Sequence, residues 1–207
     1  SDKEYSPILK TYMAYRLFGL RSCIHLLKIS LKKGDNSFAG LLKTASKNKV
    51  VEIEATNKAI EKFCSYTTPE VIVSLGAPII FKESILKIPS ICINVHNGDI
   101  SKYRGHFSTF WEKVNSEEKG GITIHEMTSK VDSGKVLSFE QVSFSEFKDF
   151  LQVNIEKKKI GGRLLAELLG KISLDKKPSE VDISRNSLNV KHYPMPKLKD
   201  IISFKDN

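Results

Sequence analysis

The sequence has little that would tie it together covalently. Its 207 residues include 3 cysteines, Cys23, Cys64 and Cys92, far apart and without a CxxC pair. That argues against a disulfide framework or a zinc site, and no metal is implied. It fits free or buried thiols in a reducing compartment, so a cytoplasmic location is expected. No run approaches the roughly 18 to 20 continuous apolar residues of a membrane-spanning helix. The opening Ser1-Asp2-Lys3-Glu4 has neither the apolar core of a secretory signal nor an initiator Met, which leads us to expect a chain trimmed from a longer protein. GxGxxG is absent, as is GxxxxGK followed by Ser or Thr, so neither the dinucleotide fingerprint nor a phosphate-binding P-loop is supported. There is no internal repeat and no low-complexity tract.

What is present is ordinary globular material. With 40% hydrophobic and 28% charged residues, the chain can bury a core without staples, and its length suits one domain with a short appendage. The net charge is +9. A basic balance can serve nucleic acid, anionic lipid or an anionic small substrate. The clusters Lys32-Lys33, Lys157-Lys158-Lys159 and Lys176-Lys177 read as solvated helix faces, with the remaining field suited to a phosphorylated substrate.

Hydrophobic spacing gives the elements. Residues 8–31 carry apolar side chains at helical intervals, with Lys and Arg on the other side, as in an amphipathic helix packed on a sheet. Residues 39–48 also read as helix, after a turn at Gly34-Asp35-Asn36. Strands are expected at Val50–Ile53, Val71–Leu75, Ser90–Val95, Gly121–Met127 and Val136–Phe144. Helices are expected from an Asn57 cap to about Cys64, around Lys82–Leu86, at 107–115, and at 146–170 with an interruption at Gly161-Gly162. From Leu174 onward the chain reads as polar and irregular. Alternating strands and helices indicate an α/β domain with a mainly parallel sheet flanked by helices.

In such sheets ligands bind at the carboxyl ends of strands. Asn94 and His96 lie there on the strand ending at Val95, and alternation points both side chains the same way. An amide and an imidazole together can hydrogen-bond one developing oxyanion. Asp132 follows the next strand, where a carboxylate can orient an imidazole. Spacing alone is also compatible with a structural turn.

The stretch Ile93-Asn94-Val95-His96-Asn97-Gly98-Asp99-Ile100-Ser101-Lys102-Tyr103-Arg104-Gly105 resembles the signature of the 10-formyltetrahydrofolate-dependent formyltransferases, Asn-x-His followed by a loop ending Tyr-Arg-Gly. A second family block, Gly-x-Thr-x-His and then Asp-x-Gly, matches Gly121-Ile122-Thr123-Ile124-His125 and Asp132-Ser133-Gly134. The resemblance is good over residues 50–145 and implies a Rossmann-like fold with 10-formyltetrahydrofolate as cosubstrate. It implies that Asn94 and a protonated His96 stabilise the tetrahedral oxyanion, while Asp132 holds His96 and helps remove the amine proton. It also implies that the pterin lies against the backbone of Gly76-Ala77-Pro78-Ile79-Ile80 and Thr128-Ser129-Lys130-Val131. Arg104, His106 and Trp111 are weaker candidates for acceptor contact, Arg104 reading also as a loop anchor and Trp111 as core. His125 reads as a satisfied core histidine, and His25 and His192 have no supporting context.

Two departures bear on the acceptor. The family often has Pro-Ser and Leu-Pro where this chain has Asn97-Gly98 and Ile100-Ser101. Its opening strand, turn and helix have no counterpart before residue 50, so the N-terminal strand is expected to be missing. We expect a catalytic domain over 1–170, N-terminally incomplete, and a short C-terminal extension over 171–207. That extension is short for the C-terminal domain of the tRNA enzymes, which makes nucleic acid a poor acceptor and a nucleotide-linked amino sugar the leading one. Transfer to glycinamide ribonucleotide or methionyl-tRNA, hydrolysis of formyl-folate, and a non-catalytic folate- or RNA-binding module are the alternatives. A second copy of the chain, in a homodimer, is a partner the sequence leaves open.

Overall fold

The sheet is built outward from two short apolar runs, Val71–Ser74 (β1) and Ile91–His96 (β2), which pair in parallel with Val71 opposite Ile91. A computed structural model describes residues 6, 9, 12, 13, 16, 17, 51–147, 149–172, 179, 181 and 190–204. The turn at 34–36, the helix expected at 39–48, Cys23, His25 and the lysine pairs 32–33 and 176–177 lie outside them. So does most of the 8–31 helix, of which Leu9, Tyr12, Met13, Arg16 and Leu17 are helical.

Among the described residues the central sheet has the order β1-β2-β4-β5, with β4 at Lys119–Glu126 and β5 at Val136–Ser143. The α/β class holds, and among the described residues one of the three strand pairings of the central sheet, β1 with β2, is parallel. β2 with β4 and β4 with β5 are antiparallel. The reason lies in the connections. Between β2 and β4 the chain makes only the three-residue strand β3 (Tyr103–Gly105) and a seven-residue helix, α3 (Ser108–Val114), whereas a parallel return needs a long crossover. β4 and β5 are joined by a single loop.

Helix α1 (Asn57–Thr67) is capped by Thr56, whose Oγ1 accepts from the Ala59 amide at 3.3 Å. The expected Asn57 cap is elsewhere engaged: its side chain donates to Ile80 O and accepts from Lys82 N, tying α1 to the loop that follows β1. Val51-Glu52-Ile53 are exposed and not in a strand, having no partner strand among the described residues. A four-residue helix, α2 (Glu83–Leu86), leads into β2.

Helix α4 (Phe150–Ile172) runs unbroken through Gly161-Gly162. Gly161 is the point of closest approach to the sheet: a Cβ there would sit 3.0 Å from Val95 Cγ1 and 3.5 Å from Ile122 Cγ2. Leu164 and Leu168, one turn apart, then pack on Ile93, Ile124 and Leu137. Burying each such side chain contributes roughly 1.5–3 kcal/mol. Lys157, expected on a wet face, is completely buried one turn before Gly161.

The tail is not irregular throughout. Lys191–Tyr193 (β6) pairs in parallel with β3, and Leu198–Ser203 (α5) follows. Ile201 and Phe204 enter a cluster with Leu17, Phe110 and Phe150. Apolar residues spaced between prolines supplied too little periodicity to reveal this docking.

The two adjacent glycines of α4 are expected to behave oppositely. Gly162 has nothing within 4 Å of a built Cβ, so Gly162→Ala should stabilise by about 0.5–1 kcal/mol. Gly161→Leu should cost about 1–3 kcal/mol through overpacking. Thermal melts of both variants check the pair, and similar shifts would refute the assigned close approach.

Candidate active site

Alternation along β2 places Ile93 and Val95 toward α4 and Asn94 and His96 on the other face. The antiparallel register sets His125 directly opposite Asn94 and Thr123 opposite His96. Thr123 Oγ1 donates to Gly98 O at 2.6 Å, fixing the start of the loop after β2. Asp132 reaches the same place from the loop after β4, in the left-handed conformation (φ 48). Gly134 is required behind it, because a Cβ there would collide with Glu126 O.

These four side chains form one network. His96 Nδ1 lies 3.4 Å from Asp132 Oδ2, and His125 Nε2 lies 3.4 Å from Asp132 Oδ1. Asn94 Nδ2 lies 3.1 Å from His125 Nε2 and 3.5 Å from Asp132 Oδ1. The Gly105 amide donates to Asp132 Oδ2 at 2.7 Å. Gly105 needs its positive φ of 95, and a Cβ would strike Tyr193 O. His96 Nε2 contacts Tyr103 O at 2.8 Å and Ser108 Oγ at 2.9 Å.

Burial is the largest influence on Asp132 and raises it. The His125 hydrogen bond, the His96 charge and the Gly105 amide together outweigh that and hold the carboxyl at about 2. Burial pushes His96 below the ordinary 6.5, against the pull of Asp132 and the Tyr103 carbonyl. That direction favours the neutral imidazole in the resting site. The neutral imidazole has one well-matched tautomer: with the proton on Nδ1 toward Asp132, Nε2 can accept from the Ser108 hydroxyl. The cation would place its second N–H toward the Tyr103 carbonyl. The arrangement can take up a proton as a reaction releases one.

The network forms the floor of a cavity of about 610 Å³. Gly76, Ala77, Ile79, Ile80, Thr128 and Val131 line it, whereas Pro78, Ser129 and Lys130 of the expected pterin loops do not. Ile80 is 69% and Val131 36% exposed. His106 also lines the cavity, but Arg104 and Trp111 do not. Arg104 Nε donates to Ile100 O within its own loop, and Trp111 donates to Pro194 O and packs edge-on against Phe110. His125, Ser108, Asn154, Lys158 and His192 were missed as cavity residues. Only His125 carried a signal, its place two residues after Thr123 on the face of β4 that looks toward Asn94.

The formyl transferase family profile matches residues 32–167, and a methionyl-tRNA formyltransferase of Thermotoga sp. (strain RQ2) is 30% identical over 164 residues, 76% of this chain and 51% of that protein. The chain belongs to the formyl transferase family. It spans about half the length of that relative. A 4-N formyltransferase from Francisella tularensis shares the fold, with a TM-score of 0.60, 22% identity and coverage of 79% of this chain and 63% of that one. HypX from Aquifex aeolicus in complex with tetrahydrofolic acid does so at 0.54 and 15%, over 70% of this chain and 24% of that one. Among the described residues of this formyl transferase domain, no helix is long and apolar enough to cross a membrane.

Stability of the domain should fall with acidity in two windows. His96 folded binds fewer protons than unfolded, so its contribution is complete above 6.5 and is lost as pH falls below that value. Asp132, held at about 2 against an ordinary 3.8, contributes roughly 2 kcal/mol above 3.8 that is lost as pH falls through 2. Melting temperatures between pH 7 and 4 should drop less steeply in His96→Gln than in the wild type. Equal slopes would mean His96 titrates normally in the fold.

Proposed function

We propose that this chain transfers a formyl group from 10-formyltetrahydrofolate to a primary amine, the amino group of a nucleotide-linked amino sugar. The observation that carries the reading is the cavity in which an apolar mouth at Ala77, Ile79, Ile80 and Val131 continues to the Asn94, His96 and Asp132 floor. The apolar mouth suits the pterin of the folate, whose donors and acceptors the backbone of the 76–80 and 128–131 loops can meet. The floor suits acyl transfer. Lys158, His106 and His192 stand in the lining, and Asp132 is the only acidic side chain there among the described residues. That suits an anionic acceptor.

In this reading the amine nitrogen attacks the formyl carbon. Asn94 donates to the oxygen that gains charge. The proton that the new C–N bond makes acidic passes through the Ser108 hydroxyl, which lines the cavity and contacts His96 Nε2, to the neutral imidazole held by Asp132. Asp132, ionised throughout, is too weak a base to take that proton itself and acts by holding His96. The bond from the formyl carbon to the folate nitrogen breaks, and the proton passes on to that nitrogen. The same reading places the chain in the cytoplasm, where the buried thiols Cys64 and Cys92 stay reduced.

The relationship to methionyl-tRNA formyltransferases favours a second acceptor, methionyl-tRNA. An assay with 10-formyltetrahydrofolate, UDP- and dTDP-linked amino sugars, and methionyl-tRNA separates them by release of tetrahydrofolate. Turnover with a sugar alone supports the first reading, with tRNA alone the second. Formate released without any amine would indicate hydrolysis instead. Asn94→Ala and His96→Ala should each lower kcat by about 100- to 1000-fold, and the rate should fall as pH drops below 6.5, where His96 begins to be occupied. In the same assay Lys158→Ala should raise KM for the diphosphate acceptor and leave kcat nearly constant, an effect that shrinks with added salt.

A further inference from the structure

This inference rests on the formyl-transfer reading and deepens it at one residue. Phe107 has φ 55 and ψ 40, the left-handed conformation that crowds the Cβ of a bulky residue. The turn itself has a purpose. Phe107 O accepts from the Phe110 and Trp111 amides to open α3, and the neighbouring His106 amide bonds Tyr193 O. Gly or Asn would hold that turn with less strain, so the backbone does not explain a phenylalanine.

Packing does not explain it either. Phe107 is 42% exposed. Next to it, Phe110, Trp111, Tyr193, Phe204 and Phe150 form a continuous series of ring contacts, which Phe107 does not join among the described residues. Its side chain lines the cavity instead, along with His96, His106, Lys158 and His192. The backbone strain and the partly exposed apolar side chain both disfavour the fold, and among the described residues no ring contact of Phe107 offsets them. Unoffset strain of this kind collects at ligand sites.

An aromatic face held open beside a lysine and imidazole N–H donors is the arrangement that receives a base with its phosphates. Asp132, the one acidic side chain in the lining among the described residues, is buried and turned toward His96, His125 and the Gly105 amide. We infer that Phe107 is the stacking platform for the nucleotide portion of the acceptor, with Lys158, His106 and His192 disposed toward its phosphates. A sugar nucleotide and the 3′ end of a tRNA share this chemistry.

The test is equilibrium binding of UDP, dTDP and the trinucleotide CCA to the full chain, as wild type, Phe107→Gly and Phe107→Tyr, with a thermal melt of each. Phe107→Gly should weaken nucleotide binding by roughly 5- to 100-fold, Phe107→Tyr should retain it, and the melting temperature of Phe107→Gly should be no lower than that of the wild type. Tighter binding of UDP or dTDP assigns a sugar nucleotide, and tighter binding of CCA assigns a tRNA end. Equal affinities in wild type and Phe107→Gly overturn the platform, as does no binding of any of the three. A Phe107→Gly melt several degrees lower would make Phe107 a packing residue and overturn it too. Phe107-dependent nucleotide binding without tetrahydrofolate release for any amine would sink formyl transfer and leave the platform standing.

Discussion

The geometry of the cavity depends on one buried ion pair. Lys157 Nζ meets Glu112 Oε2 at 2.5 Å, with both side chains almost wholly removed from water. Burial pushes the Glu112 carboxyl up and the Lys157 ammonium down, and their contact opposes both. The remaining polar atoms are satisfied by the parts that have to be held. Glu112 Oε1 accepts from the Asp99 and Gly121 amides, and Lys157 donates to Thr109 Oγ1 and Asn97 O. Four elements therefore converge on it: the loop after β2, the start of β4, α3 and α4. A buried pair of this kind adds little net stability over a hydrophobic substitute, but losing one partner typically costs about 3–5 kcal/mol. Its contribution here is placement. The loop that it anchors at Asn97 and Asp99 delivers Tyr103 O to His96 and the Gly105 amide to Asp132.

That delivery sets the electrostatics of the floor. His96 sits between the Asp132 carboxylate at Nδ1 and the Tyr103 carbonyl and Ser108 hydroxyl at Nε2, in surroundings dry enough to disfavour the cation. The balance leaves a neutral base whose protonated form already has both its partners in place. Preorganisation of this sort costs little reorganisation during reaction. Asp132, drawn down by His125, His96 and a backbone amide, stays charged and so keeps His96 oriented. The same loop carries Phe107 in its strained turn, which links the floor to the mouth through a few residues of chain.

Much of this was legible in the residues. The α/β class and the positions of β1, β2, β4 and β5 to within a residue or two follow from local spacing, whereas the grouping of Asn94, His96 and Asp132 was implied by the family resemblance. The two-residue period puts Asn94 and His96 on one face, and Gly105 and Gly134 stand where side chains have no room. Other readings failed for identifiable reasons. Gly161-Gly162 looked like a helix break because local propensity disfavours glycine, but at Gly161 the helix gains contact with Val95. Lys157 looked wet because a lysine run usually is, and its partner Glu112 is distant in sequence. Thr56 took the cap from Asn57 because Asn57 bridges to the 80–82 loop.

The sequence by itself determined which chemical groups reach the carboxyl ends of β2 and β4, since alternation and turn chemistry are local properties of the chain. Strand direction, the return of residues 190–204 onto β3 and the pairing of Glu112 with Lys157 were decided only in three dimensions. So were the burial of His96 and the left-handed turn at Phe107. Each depends on desolvation or on contact between segments far apart along the chain, and neither leaves a local pattern in the residues that take part.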